Sequence, residues 1–207
     1  MVAPGQPSRG FSLIELLTVV VILGVLLSLA ALPIQEMIAN QRLRSVTSDL
    51  VADLALARVE ALKRSTRVGI ARTTADWGGG WQVFNDERPA DDTIPPDGVF
   101  TPDADGDGQC DIFAAGPPVS LAEECVLASR PPLDATVRVC SADAAFDVLT
   151  FAVDGTVRAY NAGAPVLPVP RITVSSTLAS ASVPARRLEF SPGGRVAVVS
   201  VGVAACP

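Results

Sequence analysis

The chain is 207 residues long, has no histidine and carries a formal net charge of −6. Those totals exclude histidine-based acid–base catalysis, histidine-ligated metal sites and histidine pH switches, and the acidic balance opposes binding to nucleic acid through bulk charge. The mean hydropathy of +0.38 is raised by one N-terminal segment, and the remainder of the chain suits one soluble domain rather than two.

Residues 1–9 are a polar leader with Pro and Gly and no helical pattern; Arg9 agrees with the positive-inside bias. From Gly10 to residue 32 the chain reads GFSLIELLTVVVILGVLLSLAAL. This is an apolar run of about 20 residues, the length a helix needs to cross a bilayer. Glu15 is out of place there, because a carboxylate in an apolar environment costs a few kcal/mol unless it is paired. A free amine on Phe11 would pair it, provided the chain is cut after Gly10. A secretion signal cleaved after Ser28-Leu29-Ala30 is a second reading, although its apolar core should span only about 7–15 residues. A plain single-span anchor is a third. Both leave Glu15 without a role.

A short leader ending in Gly, then Phe-Ser-Leu-Ile-Glu and an apolar helix, resembles the type IV prepilins and pseudopilins. The resemblance implies that a prepilin peptidase/N-methyltransferase cuts between Gly10 and Phe11 and methylates Phe11. It implies that Glu15 neutralises the Phe11 amine of a neighbouring subunit during filament assembly. It also implies a single-pass protein of the bacterial inner membrane, with its C-terminal domain in the periplasm, that later enters a pilus or pseudopilus. Its partners would be other minor and major pilins or pseudopilins.

The helix is expected to continue past the apolar run, kinked or loosened by Pro33. Leu43, Val46, Leu50, Leu54, Ala57 and Ala61 recur at steps of three and four, a stripe for a core. Arg42, Arg44, Asp49, Asp53, Arg58, Glu60, Lys63 and Arg64 are read onto the other faces. The chain thus divides into a leader over 1–10, a transmembrane or filament-core helix over 11–33, an amphipathic helix over 34–66 and a β-rich periplasmic domain over 67–207.

After residue 67 the period changes. Strands are expected at 68–72, 81–84, 136–140, 148–153, 156–160, 171–175, 187–190 and 195–201, separated by Gly, Pro, Asp and Ser. Asp154-Gly155 signals a two-residue hairpin turn, and Ser191-Pro192-Gly193-Gly194 a turn between the last two strands. Gly78-Gly79-Gly80 reads as a tight turn between Trp77 and Trp81. One long helix followed by antiparallel strands makes an α+β fold, with the helix packed on a sheet. The runs DLALARVEALKRSTRV, WQVFND, LTFAVDGTVR and RRLEFSPGGRV are similar to the GspH/FimT branch of minor pilins and pseudopilins. That branch implies a β-sandwich-like domain beside the helix.

The stretch 85–135 is dense in Pro, Asp and Gly and reads as an insertion. Inside it, Asp103, Asp105, Asp107 and Asp111 with Gly108 match the opening of an EF-hand-type calcium loop. Ala114 stands where the bidentate Glu belongs; the spacing is also similar to thrombospondin-type calcium repeats. A calcium ion would order the insertion; a solvated acidic loop is the alternative. The four cysteines, Cys110, Cys125, Cys140 and Cys206, form no CxxC pair and read as disulfides of an exported domain. Three connectivities are open, with Cys110–Cys125 and Cys140–Cys206 preferred and free buried thiols as the alternative.

No motif for catalysis is present. The function expected is that of a type IV minor pilin that initiates or primes filament assembly. A type II secretion minor pseudopilin is the alternative, and DNA uptake a second. Some FimT-type members bind DNA through arginines near a C-terminal Gly-Arg, which here would be Arg195 with Arg186 and Arg187. Ala197 stands where a further cation would be expected, and phosphate contacts need several clustered cations.

Overall fold

The structure is a computed structural model that describes residues 11–86, 126–141, 143, 145–178, 183–202 and 206, with the side chains of 29–33 left aside. One helix, α1 (Leu13–Arg64), runs unbroken through residue 33. Its start follows Ser12, which is extended and gives no side-chain cap. Its end is a C-cap in which Ser65 adopts the left-handed conformation, and the N–H of Thr66 reaches the Ala61 carbonyl at 3.2 Å. Glu60 holds Arg64 at 2.6 Å one turn on, leaving the basic residues at the negative end of the helix dipole.

Two antiparallel sheets pack beside the helix. The first has the order β3 (Val126–Ser129), β2 (Trp81–Asn85), β1 (Val68–Arg72), β5 (Val148–Phe151), β6 (Val157–Asn161), β7 (Ala164–Val166). The second has the order β10 (Val196–Val201), β9 (Ala185–Phe190), β8 (Ile172–Ser176), β4 (Val137–Ser141). Helix α1 touches both. Of the expected stripe, Leu43, Leu50, Leu54, Ala57 and Ala61 are buried and Val46 is half-buried against the same core; Ala39, one step earlier, is buried as well. Most of that stripe shares one core with Val68, Ile70, Trp81, Val83, Leu149 and Phe151 of the first sheet and Ile172, Val174 and Leu188 of the second. This is the α+β arrangement expected, with the amphipathic half of the helix serving both sheets.

Three features differ from the sequence reading. Strand β3 lies inside the expected insertion and pairs with β2; four residues ahead of Arg130-Pro131-Pro132 are too few to display a period. Strand β7 is three residues with Pro165 in it, and proline is tolerated there because β7 is an edge. Asp53, read onto an outer face, is 3% exposed. Steps of three and four from Leu50 and Ala57 place it on the buried stripe, and its partners, Trp81 and Arg130, make that burial tolerable.

Candidate assembly surface

The N-terminal half of α1 stands clear of the domain. Phe11 is 87% exposed, Leu16 64% and Val20 59%, and the other large apolar residues up to Leu27 are exposed as well. So large a contiguous apolar surface marks a segment meant for lipid or for other proteins. Among the described residues no helix segment is long and apolar enough to cross a membrane. The described side chains of the run stop at Ser28, short of the ~20 residues a span requires. Phe11 lies just ahead of the N-cap residue Ser12; Gly10 lies outside the described residues.

Glu15 occupies the first turn, where the N–H groups of a helix lack internal acceptors and the dipole favours an anion. Its side chain is exposed. None of the ion pairs among the described residues involves it. Among the described residues Glu15 is thus a carboxylate with no ion-pair partner on a largely apolar helix surface.

The other half of α1 is mounted rigidly. Asp53 accepts from the indole N–H of Trp81 at 2.9 Å and from Arg130 through Nε at 2.7 Å and Nη2 at 3.1 Å. This bidentate, charge-assisted geometry fixes both position and orientation. The Asp53 carboxylate, by its hydrogen bonds and then its charge, holds the Arg130 guanidinium above its ordinary pKa, with Asp49 adding a smaller push. Arg130 in turn donates its backbone N–H to the Trp81 carbonyl at 2.8 Å. One buried carboxylate thus ties α1 to β2 and to the end of β3. Nearer the N-terminus of α1, Arg42 reaches Asp134 at 3.1 Å, ahead of β4. Asp134 is held below the ordinary carboxylate range by the hydroxyl and N–H of Thr136, with Arg42 contributing less. Sequence reasoning misses Asp53 and Arg130. The available signal is an Asp at stripe spacing in a chain whose Trp81 needs a buried acceptor.

The triple glycine folds as a turn. Asp76 Oδ1 accepts the N–H groups of Gly78 and Gly79 at 2.7 and 3.2 Å, capping a 3-10 turn over Trp77–Gly79. Gly80 ends it at φ +93°, where a Cβ would meet the Arg130 carbonyl.

Of the remaining expected site residues, Cys140 and Cys206 are joined in a disulfide that ties the chain's end to β4. Cys110, Cys125 and the calcium candidates Asp103, Asp105, Asp107 and Asp111 lie outside the described residues. Arg186 and Arg187 are adjacent on β9 and so face opposite sides of the sheet. They do not form one patch. Arg187 lies 3.8 Å from Glu189, and Arg171 binds Asp143 at 2.5 Å, so these cations are countered by carboxylates. Arg195 is exposed and follows the Ser191–Gly194 turn.

A helix with an exposed apolar half, mounted on two antiparallel sheets, is the pilin-like α+β arrangement that the sequence reading expects. Residues 6–31 match the family described as the prokaryotic N-terminal methylation motif, and residues 46–121 match the family described as type II transport protein GspH. The leader motif and the domain model thus match on one chain, the combination that a resemblance to the GspH/FimT branch implies. Among solved structures it is similar to the type IV minor pilin FimU of Pseudomonas aeruginosa in two crystal forms. One is 20% identical, with TM-score 0.47, covering 77% of this chain and 89% of that one. The other is 22% identical, with TM-score 0.44, covering 75% and 91%. No curated protein matches the chain.

Proposed function

We propose that this chain is a FimT/FimU-like minor pilin of a type IV pilus that enters the filament and initiates or primes its assembly. The observation that carries the proposal is the methylation motif over residues 6–31 leading into a helix whose large apolar residues from Phe11 to Leu27 are exposed. Prepilin peptidase cuts after Gly10 and methylates Phe11. The mature protein rests in the inner membrane by that helix, with the domain in the periplasm, until the apolar helix leaves lipid for the helices of other pilins. Glu15 then meets the Phe11 amine of a neighbour and sets the register. In this scheme the domain does no chemistry; it positions the helix.

Sequencing the N-terminus of the mature protein tests this. N-methylated Phe11 is the expected first residue, whereas Met1, or any residue beyond Ala30, overturns the proposal.

A second reading, a type II secretion minor pseudopilin, is favoured by the match of residues 46–121 to the family described as type II transport protein GspH. Deleting the gene separates the two. Loss of surface pili with normal secretion supports the pilus, and the converse supports the secretion machine. DNA capture draws no support from Arg186 and Arg187, which face opposite ways.

A further inference from the structure

Among the described residues four strands form the sheet edges: β3, β7, β4 and β10. An open edge offers unpaired backbone groups to any other strand, and proteins blunt edges with brevity, proline, charge or cover. Strand β3 has four residues and runs into Arg130-Pro131-Pro132. Strand β7 has three, one of them Pro165. Strand β4 carries Arg138 and is tied at Cys140 to the chain's end. Strand β10 has none of these devices. Its six residues, Val-Ala-Val-Val-Ser-Val, contain no charge and no proline, and their register with β9 is unbroken. Its four central residues are exposed whichever face they are on. The disulfide ties Cys206 to the opposite edge of the sheet, and among the described residues no strand pairs with the outer edge of β10.

The hydrogen-bonding phase of this edge is set by the turn. Ser191 donates its N–H to the Arg195 carbonyl at 2.9 Å, so Phe190 and Val196 form the next, non-hydrogen-bonded pair. Alternation then turns the N–H and C=O groups of Val196, Val198 and Ser200 away from β9. Arg195, exposed at the start of the strand, takes part in none of the ion pairs among the described residues.

From this we propose that β10 is a strand-addition site whose occupant is an extended, uncharged segment of a different filament subunit, with an Asp or Glu at the end that meets Arg195. A second copy of this chain pairing β10 to β10 in the antiparallel sense does not fit. Two β10 strands pairing with each other in the antiparallel sense are related by a two-fold axis perpendicular to the sheet. That axis reverses any helix lying on the sheet face, as α1 does. Subunits anchored in one membrane by their N-terminal halves point the same way, and this step rests on the pilin-class reading. Apolar side chains on both faces of β10 call for a partner strand that is β-branched or small on both faces.

The test uses the full chain in the cells that make it, with a photo-crosslinking residue at Val198 or, as a control, at Leu16 in the apolar helix. The Val198 probe is expected to give an adduct whose partner peptide maps to a strand of another protein bearing a prepilin-type leader, and the adduct is lost with Arg195→Glu. Adducts from Leu16 but none from Val198, or a Val198 adduct to a second copy, overturn the β10 proposal and leave the pilin-class reading intact. No pilin adduct from Leu16 counts against that reading itself. The variant Val198→Pro removes an N–H that points away from β9, so the hairpin keeps its bonds. Incorporation into filaments should fall about tenfold or more, with the melting temperature little changed and Val198→Thr behaving as the parent. Normal incorporation of Val198→Pro overturns the proposal.

Discussion

The indole N–H of Trp81, the first residue of β2, donates to Asp53 of α1 at 2.9 Å, and the same carboxylate holds Arg130. A carboxylate at 3% exposure is tolerable only because charge-assisted partners replace its water. Removing it leaves a buried indole donor and a half-buried guanidinium unmatched. Asp53→Ala should therefore lose about 2–3 kcal/mol of stability, and Asp53→Asn, which keeps one acceptor, about half of that. Urea unfolding followed by tryptophan fluorescence measures both, and a loss well below 1 kcal/mol for the alanine variant would show that Asp53 does not anchor the helix.

The two turn glycines Gly155 and Gly194 bring the hairpin ends of the two sheets together. Gly194 has φ +72°, and a Cβ on it would overlap the Gly155 carbonyl oxygen. Both backbone conformation and space reject a side chain, and the obstacle is main chain, which cannot swing aside. Gly194→Ala should cost on the order of 2–3 kcal/mol, more than the conformational strain alone. Gly193→Ala, with nothing within 4 Å of its Cβ position, should be nearly neutral. Equal melting temperatures for the two variants would refute the close approach of the turns.

Asp143 supplies a pH dependence. Hydrogen bonds from Arg171, then the charges of Arg171 and Arg187, lower its pKa from 3.8 to about 2. A depressed folded-state value means that stabilisation is fully present above the unfolded-state pKa, shrinks between about pH 4 and pH 2, and is absent below. The pair is substantially solvated, so Asp143 contributes on the order of 0.5–1 kcal/mol rather than the full value of the shift. The stability difference between the parent and Asp143→Asn should be constant from about pH 5 to 8 and fade on acidification below about pH 4. A difference that persists unchanged at about pH 2 would place the effect elsewhere.

The Cys140–Cys206 bridge closes a loop of sequence separation 66. Cross-links of this span typically add about 2–4 kcal/mol by restricting the unfolded chain. Replacing both cysteines with Ser should lower the melting temperature by several degrees and expose the last residues to carboxypeptidase. An unchanged temperature would mean that the end of the chain is held without the bridge.

How much of the fold is legible in the sequence depends on the length of each signal. The helix stripe from Leu43 to Ala61 spans five turns and predicts its buried face. The strand at 68–72 is bounded correctly because its β-type run breaks sharply from the helical period before it. Strands β3 and β7 escape because three or four residues cannot show alternation, and Pro165 argues against a strand until its edge position is known. Asp53 is misplaced for a different reason. Charge alone argues for the surface, and only the long-range partners Trp81 and Arg130 make a buried position favourable. The leader and Glu15 are readable because an ionisable group in an apolar run conflicts with its surroundings in the sequence itself. The edge at β10 is hidden, since the run at 195–201 reads the same in a central strand as in an open one.

Glu15 is open to a test in which two effects pull in opposite directions. If it serves only to terminate or orient the helix in lipid, Glu15→Leu removes an ionisable group worth roughly 2.5–3.5 kcal/mol at mid-membrane and less near the interface. Retention in the membrane should then improve and assembly should be unharmed. If its carboxylate docks on a neighbour's N-terminal amine, the same change improves retention while depleting the chain from filaments. The expected result is the second: normal cleavage after Gly10, resistance to alkaline extraction equal to or above that of the parent, and a fall of about tenfold or more in the sheared filament fraction, equivalent to losing at least about 1.4 kcal/mol of docking free energy. Glu15→Asp, which keeps the charge on a shorter arm, should recover part of the incorporation, and Glu15→Gln little of it. Full incorporation of the leucine variant would remove the pairing and leave the apolar surface of α1 as the sole driver of assembly.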